Sequence, residues 1–67
     1  MTVTLNGVAH PYADDISTLA GLVQSLHLEG KRVAVEMNGE IVPKSRYGET
    51  RLAPGDRLEI VAAVGGG

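Results

Sequence analysis

The sequence predicts an α+β domain in which one helix crosses one face of a mixed sheet of four to five strands. Three observations carry that prediction. Two Asn-Gly pairs, Asn6-Gly7 and Asn38-Gly39, each sit between short runs rich in aliphatic residues, the pattern of a tight hairpin. Leu19, Leu22, Val23 and Leu26 repeat at helical spacing. The run Leu58 to Val64 is strand-like and leads into Gly65, Gly66 and Gly67.

Taken in order, Thr2 to Leu5 alternates polar and apolar, as a half-buried strand does. Asn6-Gly7 tolerates the positive φ of a type I′ turn, and a two-residue loop sets Leu5 opposite Val8, Val3 opposite His10 and Met1 opposite Tyr12. His10 then falls on the apolar face as a half-buried core residue. Ser17 or Thr18 caps the helix that follows. Its stripe is expected to set Leu22 and Leu26 against Val35, Leu58 and Ile60. Gly21 costs this helix about 1 kcal/mol relative to alanine unless close packing needs it. Gly30 is the expected terminator, with His27 and Lys31 placed well for the helix dipole.

Val33 to Met37 is β-branched and alternating and reads as a central strand. Asn38-Gly39 turns it into Glu40 to Val42, which Pro43 ends because it has no N–H to donate. Lys44 to Glu49 is expected to be an irregular or 3₁₀ crossing anchored by Tyr47, and Thr50 to Leu52 a minor edge strand. Ala53-Pro54-Gly55-Asp56 is turn chemistry with Pro54 second and Gly55 third. In the last strand, Arg57 to Val61, Leu58 and Ile60 face the core while Glu59 and Val61 face outward. A crossover from the second strand through the helix is expected to lay Val33 to Met37 parallel to a strand it joins. This order of elements is that of a β-grasp.

Composition narrows the function. At 67 residues the chain forms one small domain, and its aliphatic core yields no more than about 3–5 kcal/mol net. With no cysteine there is no thiol nucleophile, disulfide or thiolate metal site. A formal charge of −2 without a basic stripe argues against nucleic acid as partner. Lys31-Arg32, and Lys44 with Arg46, read as solvated faces. Nothing resembles a signal peptide or a membrane span, so a cytoplasmic location is expected. No Ser/His/Asp constellation or metal-ligand spacing is evident, and the glycine run follows a strand instead of opening a helix, unlike a phosphate loop.

The glycine run points to presentation of a chain end. Without Cβ atoms, the backbone can lie against another surface with nothing protruding. Residues 63–67 are expected to form a flexible tail reaching at most about 17 Å when extended. Val64, Gly65 and Gly66 would thread a partner's channel, and Gly67 would offer its α-carboxylate. Strand parity places Glu59, Val61 and Ala63 on the outward surface beside that tail, where a partner gripping the tail would also rest.

Across its whole length the chain resembles the ubiquitin-like sulfur carriers, most closely the ThiS family of thiazole biosynthesis. The resemblance is carried by Leu5-Asn6-Gly7, by Asn38-Gly39-Glu40-Ile41-Val42-Pro43, and by Pro54-Gly55-Asp56-Arg57-Leu58-Glu59-Ile60-Val61 leading to Gly65-Gly66-Gly67. It implies that an adenylyltransferase related to ubiquitin-activating enzymes uses ATP to adenylate the Gly67 carboxylate. A sulfur donor of the cysteine desulfurase type then leaves a thiocarboxylate there, and thiazole synthase takes the sulfur. A free carboxylate is a poor electrophile, which is why a better leaving group must come first. The carrier is then a monomeric cosubstrate and not an enzyme, with no bound cofactor. Three residues depart from the family pattern: the extra Gly65, His10 at an aliphatic place, and Gly21 in the helix. Competing readings are a molybdopterin-type sulfur carrier, a protein modifier joined through an isopeptide bond, and a β-grasp binding module with an idle tail.

Overall fold

A computed structural model of the chain describes residues 1–62. Five strands, one α-helix and one 3₁₀ helix follow in the order β1 (Thr2–Leu5), β2 (Val8–Pro11), α1 (Leu19–Ser25), β3 (Val33–Met37), β4 (Glu40–Val42), the 3₁₀ helix (Lys44–Glu49) and β5 (Arg57–Ala62). The strands form one sheet in the order β2-β1-β5-β3-β4. This is a β-grasp fold.

The local chemistry builds both hairpins as expected. Asn6 and Asn38 take φ of 49° and 52°, followed by Gly7 at 84° and Gly39 at 90°, so both loops use two consecutive left-handed residues. The first loop pairs Leu5 with Val8 and Val3 with His10, and the Tyr12 N–H donates to the Met1 carbonyl at 2.7 Å. His10 is half-buried there. Pro11 and Pro43 close the two edge strands, which limits the length of unpaired edge open to another chain.

The sheet corrects one expectation. β3 is antiparallel to both of its neighbours, β4 and β5, and the parallel pair is β1 with β5, joined at Thr4↔Arg57 and Leu5↔Leu58. The crossover carries the chain from the edge strand β2 past two strand positions to β3, leaving the place between β1 and β3 for β5. β5 takes the middle of the sheet, and β3, paired on both sides, is an interior strand as expected.

The helix covers one face. Thr18 is its cap, accepting from the Gly21 N–H at 3.2 Å. A Cβ at Gly21 would meet Ile16 Cγ2 at 3.3 Å, so the glycine lets Ile16 pack under the first turn. The helix is shorter than expected. His27 (φ 60°) takes the left-handed position assigned to Gly30, its N–H donating to Gln24 and the Leu28 N–H to Val23, which together make a Schellman cap. Gly30 instead serves the next turn, closed by Lys31 N–H to the Leu28 carbonyl at 2.9 Å. Leu26 therefore sits at the C-cap and is only half-buried.

The closed core is Val3, Tyr12, Leu19, Leu22, Val23, Val35, Tyr47 and Leu58, with Ile60 and Leu26 packed against it. Tyr47 anchors the 3₁₀ crossing as expected, and burial raises its phenol above the ordinary value. Residues 50–52 do not form an edge strand. Only Arg51 bridges, to Thr18, while Leu19 and Leu52 exchange bonds with Thr50 and Ser17. This segment serves the start of the helix instead of the sheet. Ala53 to Asp56 turns as expected, with Gly55 at φ 88° and the Asp56 N–H on the Ala53 carbonyl at 3.1 Å.

Candidate functional site

β5 carries the candidate site because residues 63–67 follow directly from it in the chain. Its two edges are held by hairpin asparagines. The Asn6 side chain accepts from the Ile60 N–H at 2.8 Å and donates to the Ile60 carbonyl at 3.2 Å. It thus acts as a one-residue extension of β1, which has already turned away. On the opposite edge Asn38 accepts from the Arg57 N–H at 3.0 Å, and its Nδ2 donates to Asp56 at 3.2 Å. Both residues read from sequence only as turn formers. Their second role rests on bonds spanning 54 and 19 positions of chain, which no local pattern announces.

Parity along β5 is as the sequence predicts. Leu58 is closed and Ile60 half-buried on the helix side, while Glu59 is exposed and Val61 retains 58% of its accessible surface. Of the predicted site residues, Glu59 and Val61 lie together on the outward face. Ala63, Val64, Gly65, Gly66 and Gly67 lie outside the described residues.

The structure adds three neighbours that the sequence reading did not assign. Ala34 stands opposite Val61, Glu36 opposite Glu59, and Ile41 opposite Glu36. Ile41 is 65% exposed, so an apolar side chain stands open at each end of this group. The alternation about Asn38-Gly39 gives Ile41 the opposite facing to Val42, and that parity was the available signal. Beside Glu36 and Glu59 lies an open depression of about 570 Å³ that also touches Thr4, Asn38 and Arg57. Its lining is more polar than that of a small-molecule pocket. Among the described residues no group of three or more His, Asp or Glu is placed to hold a metal. No helix among the described residues is long and apolar enough to cross a membrane.

The family's sequence pattern decides the identification: that of the ThiS family matches residues 3–67. The chain belongs to the ThiS family. It is 46% identical over 63 residues to the sulfur carrier protein ThiS of Bacillus subtilis, covering 94% of this chain and 96% of that one. It is also 42% identical over 67 residues to a thiazole synthase of Paramagnetospirillum magneticum, of which it spans only 20%. The crystal structure of the thiamine biosynthesis protein ThiS from Geobacter metallireducens superposes with a TM-score of 0.81 at 28% identity, over the full length of both chains. The ThiS match runs through the glycine run, so the segment beyond β5 is part of what defines the family.

Proposed function

We propose that this ThiS-family chain is a sulfur carrier for thiazole formation in thiamin biosynthesis, acting in the cytosol through Gly67. The observation that carries this reading is the family match across β5 and the glycines that follow it. In this reading Gly67 bears a free α-carboxylate. Its oxygen attacks the α-phosphorus of ATP on an activating enzyme, and pyrophosphate leaves. The terminal sulfur of a persulfide donor of the cysteine desulfurase type then attacks the acyl carbon and AMP leaves, and a partner's thiol cleaves the resulting acyl disulfide, ending in a disulfide itself and leaving a thiocarboxylate on Gly67. Thiazole synthase is the acceptor, a reading supported by relatives that carry that name and contain a region like this chain. The chain's own part is positional, since its described residues supply an anchored strand and an open face and the chemistry comes from its partners.

The two enzymes are proposed to grip the same outward surface, Glu59, Val61 and Ala63, in turn, with Val64, Gly65 and Gly66 threaded beyond it. Holding the rigid sheet next to the tail raises the effective concentration of the reacting carboxyl in the partner's site. Intact mass of the protein isolated from its own cells tests the chemistry, with exchange of one terminal oxygen for sulfur as the expected result. A chain shortened by Gly66 and Gly67 is expected to fold and to resist adenylation. Normal adenylation of that variant would overturn the reading.

A further inference from the structure

Glu36 and Glu59 stand directly opposite each other in the antiparallel pair β3–β5. The ladder phase follows from the Asn38 N–H, which donates to the Arg57 carbonyl two residues along, so Glu36 and Glu59 form a hydrogen-bonded pair. Their Cα atoms are then about 5.5 Å apart and their side chains share the outward face. Like charges directly opposite destabilise a sheet. Among the described residues no cation lies within ion-pair distance of either carboxylate, although Arg57 lines the same depression: the ion pairs are Met1 with Asp14 and Arg46 with Glu49. Arg57, on the same face of β5, is not within ion-pair distance of either carboxylate. Exposed Ile41 and Val61 flank the pair.

Charge on this face selects its occupant. Nucleic acid and anionic lipid would meet two carboxylates. A second copy of the chain laid face to face would bring four together. A protein surface that places a lysine or arginine between the two glutamates, with apolar side chains against Ile41 and Val61, satisfies every group at once. We propose that Glu36 and Glu59 are the paired seat for one basic side chain of the thiazole synthase, the enzyme whose name is carried by relatives that contain a region like this chain. The inference rests on the carrier reading above and adds to it Glu36, Ile41 and the chemistry of the partner's contact.

The test reads two quantities whose signs oppose. Thermal melting of the free domain is expected to rise by about 1–4 °C in Glu59→Gln and in Glu36→Gln, because each relieves the cross-strand repulsion. Calorimetric affinity for the thiazole synthase of the same organism is expected to fall about tenfold in each. The double variant should lose less than the product of the two, because both carboxylates share one cation. Raising the salt should weaken the wild-type complex more than the double variant's. If wild type binds and the double variant binds equally well, the seat is overturned while the carrier reading stands. A lower melting temperature in both single variants would also overturn it, since the pair would then serve the sheet. If wild type itself fails to bind the synthase, the carrier reading fails, and this inference with it.

Discussion

On the helix side of the sheet, Val3, Val35 and Leu58 are sealed to 1% exposure or less, whereas on the other side Ile41 and Val61 keep more than half of theirs. The same strands supply both faces, and in β5 single residues alternate between them. The closed face is occupied because the fold has no other source of apolar burial: with no Phe or Trp, three helix residues and three strand residues carry most of it. The open face contributes little burial and holds an opposed pair of carboxylates. Selection for stability alone would not leave it in that state. The contrast separates residues that make the domain from residues left free to meet a partner.

The sharpest way to break the comparison is to truncate the closed face. Leu22→Ala is expected to cost about 2–5 kcal/mol, comparable to the whole stability of a domain this small, so circular dichroism should show a largely unfolded chain at ambient temperature. The anchor of β5 comes next. Asn6→Ala removes both side-chain bonds to Ile60 and is expected to cost about 1–2 kcal/mol in urea unfolding. Hydrogen exchange should localise the loss to the Ile60 amide. A smaller effect of opposite sign is expected at the helix end. His27→Gly relieves a side chain held at φ 60° and should stabilise by about 0.5–1 kcal/mol, read as a higher urea midpoint. The smallest effect on folding belongs to the open face. Val61→Asp should change unfolding free energy by less than about 0.5 kcal/mol while weakening binding to both proposed partners in calorimetry. Unfolding of that variant would show that the two faces are not separable.

Where neighbours in sequence decide the outcome, the fold was legible. The two Asn-Gly hairpins, the Pro54-Gly55 turn, the Tyr47 anchor and the parity of β5 all follow from chemistry within four or five residues. The misses are nonlocal or concern substitutes. Nothing near Val33 says that β5 will fill the place beside it, because the β1–β5 pairing joins residues more than fifty positions apart. The helix stop moved because His27 accepts a conformation for which glycine is the usual signal. Residues 50–52 were drawn to the helix start by backbone bonds that strand propensity does not register. For the site, Glu59 and Val61 were readable from alternation. Glu36 and Ile41 join them only once the register of β3 against β5 and β4 is known.

The place of β5 between β1 and β3 has a consequence for the life of the chain during synthesis. Among the described residues, those before Arg57 form two hairpins, a short helix and a 3₁₀ helix, and the hairpins have no strand pairing with each other until β5 lies between them. A seven-residue helix and isolated hairpins are marginal alone, so these elements are expected to gain lasting structure only once β5 is available to join them. The strand that completes the fold is also the strand that leads to the glycines. A chain that stops before β5 therefore lacks both the strand that joins the two hairpins and the glycines that follow it.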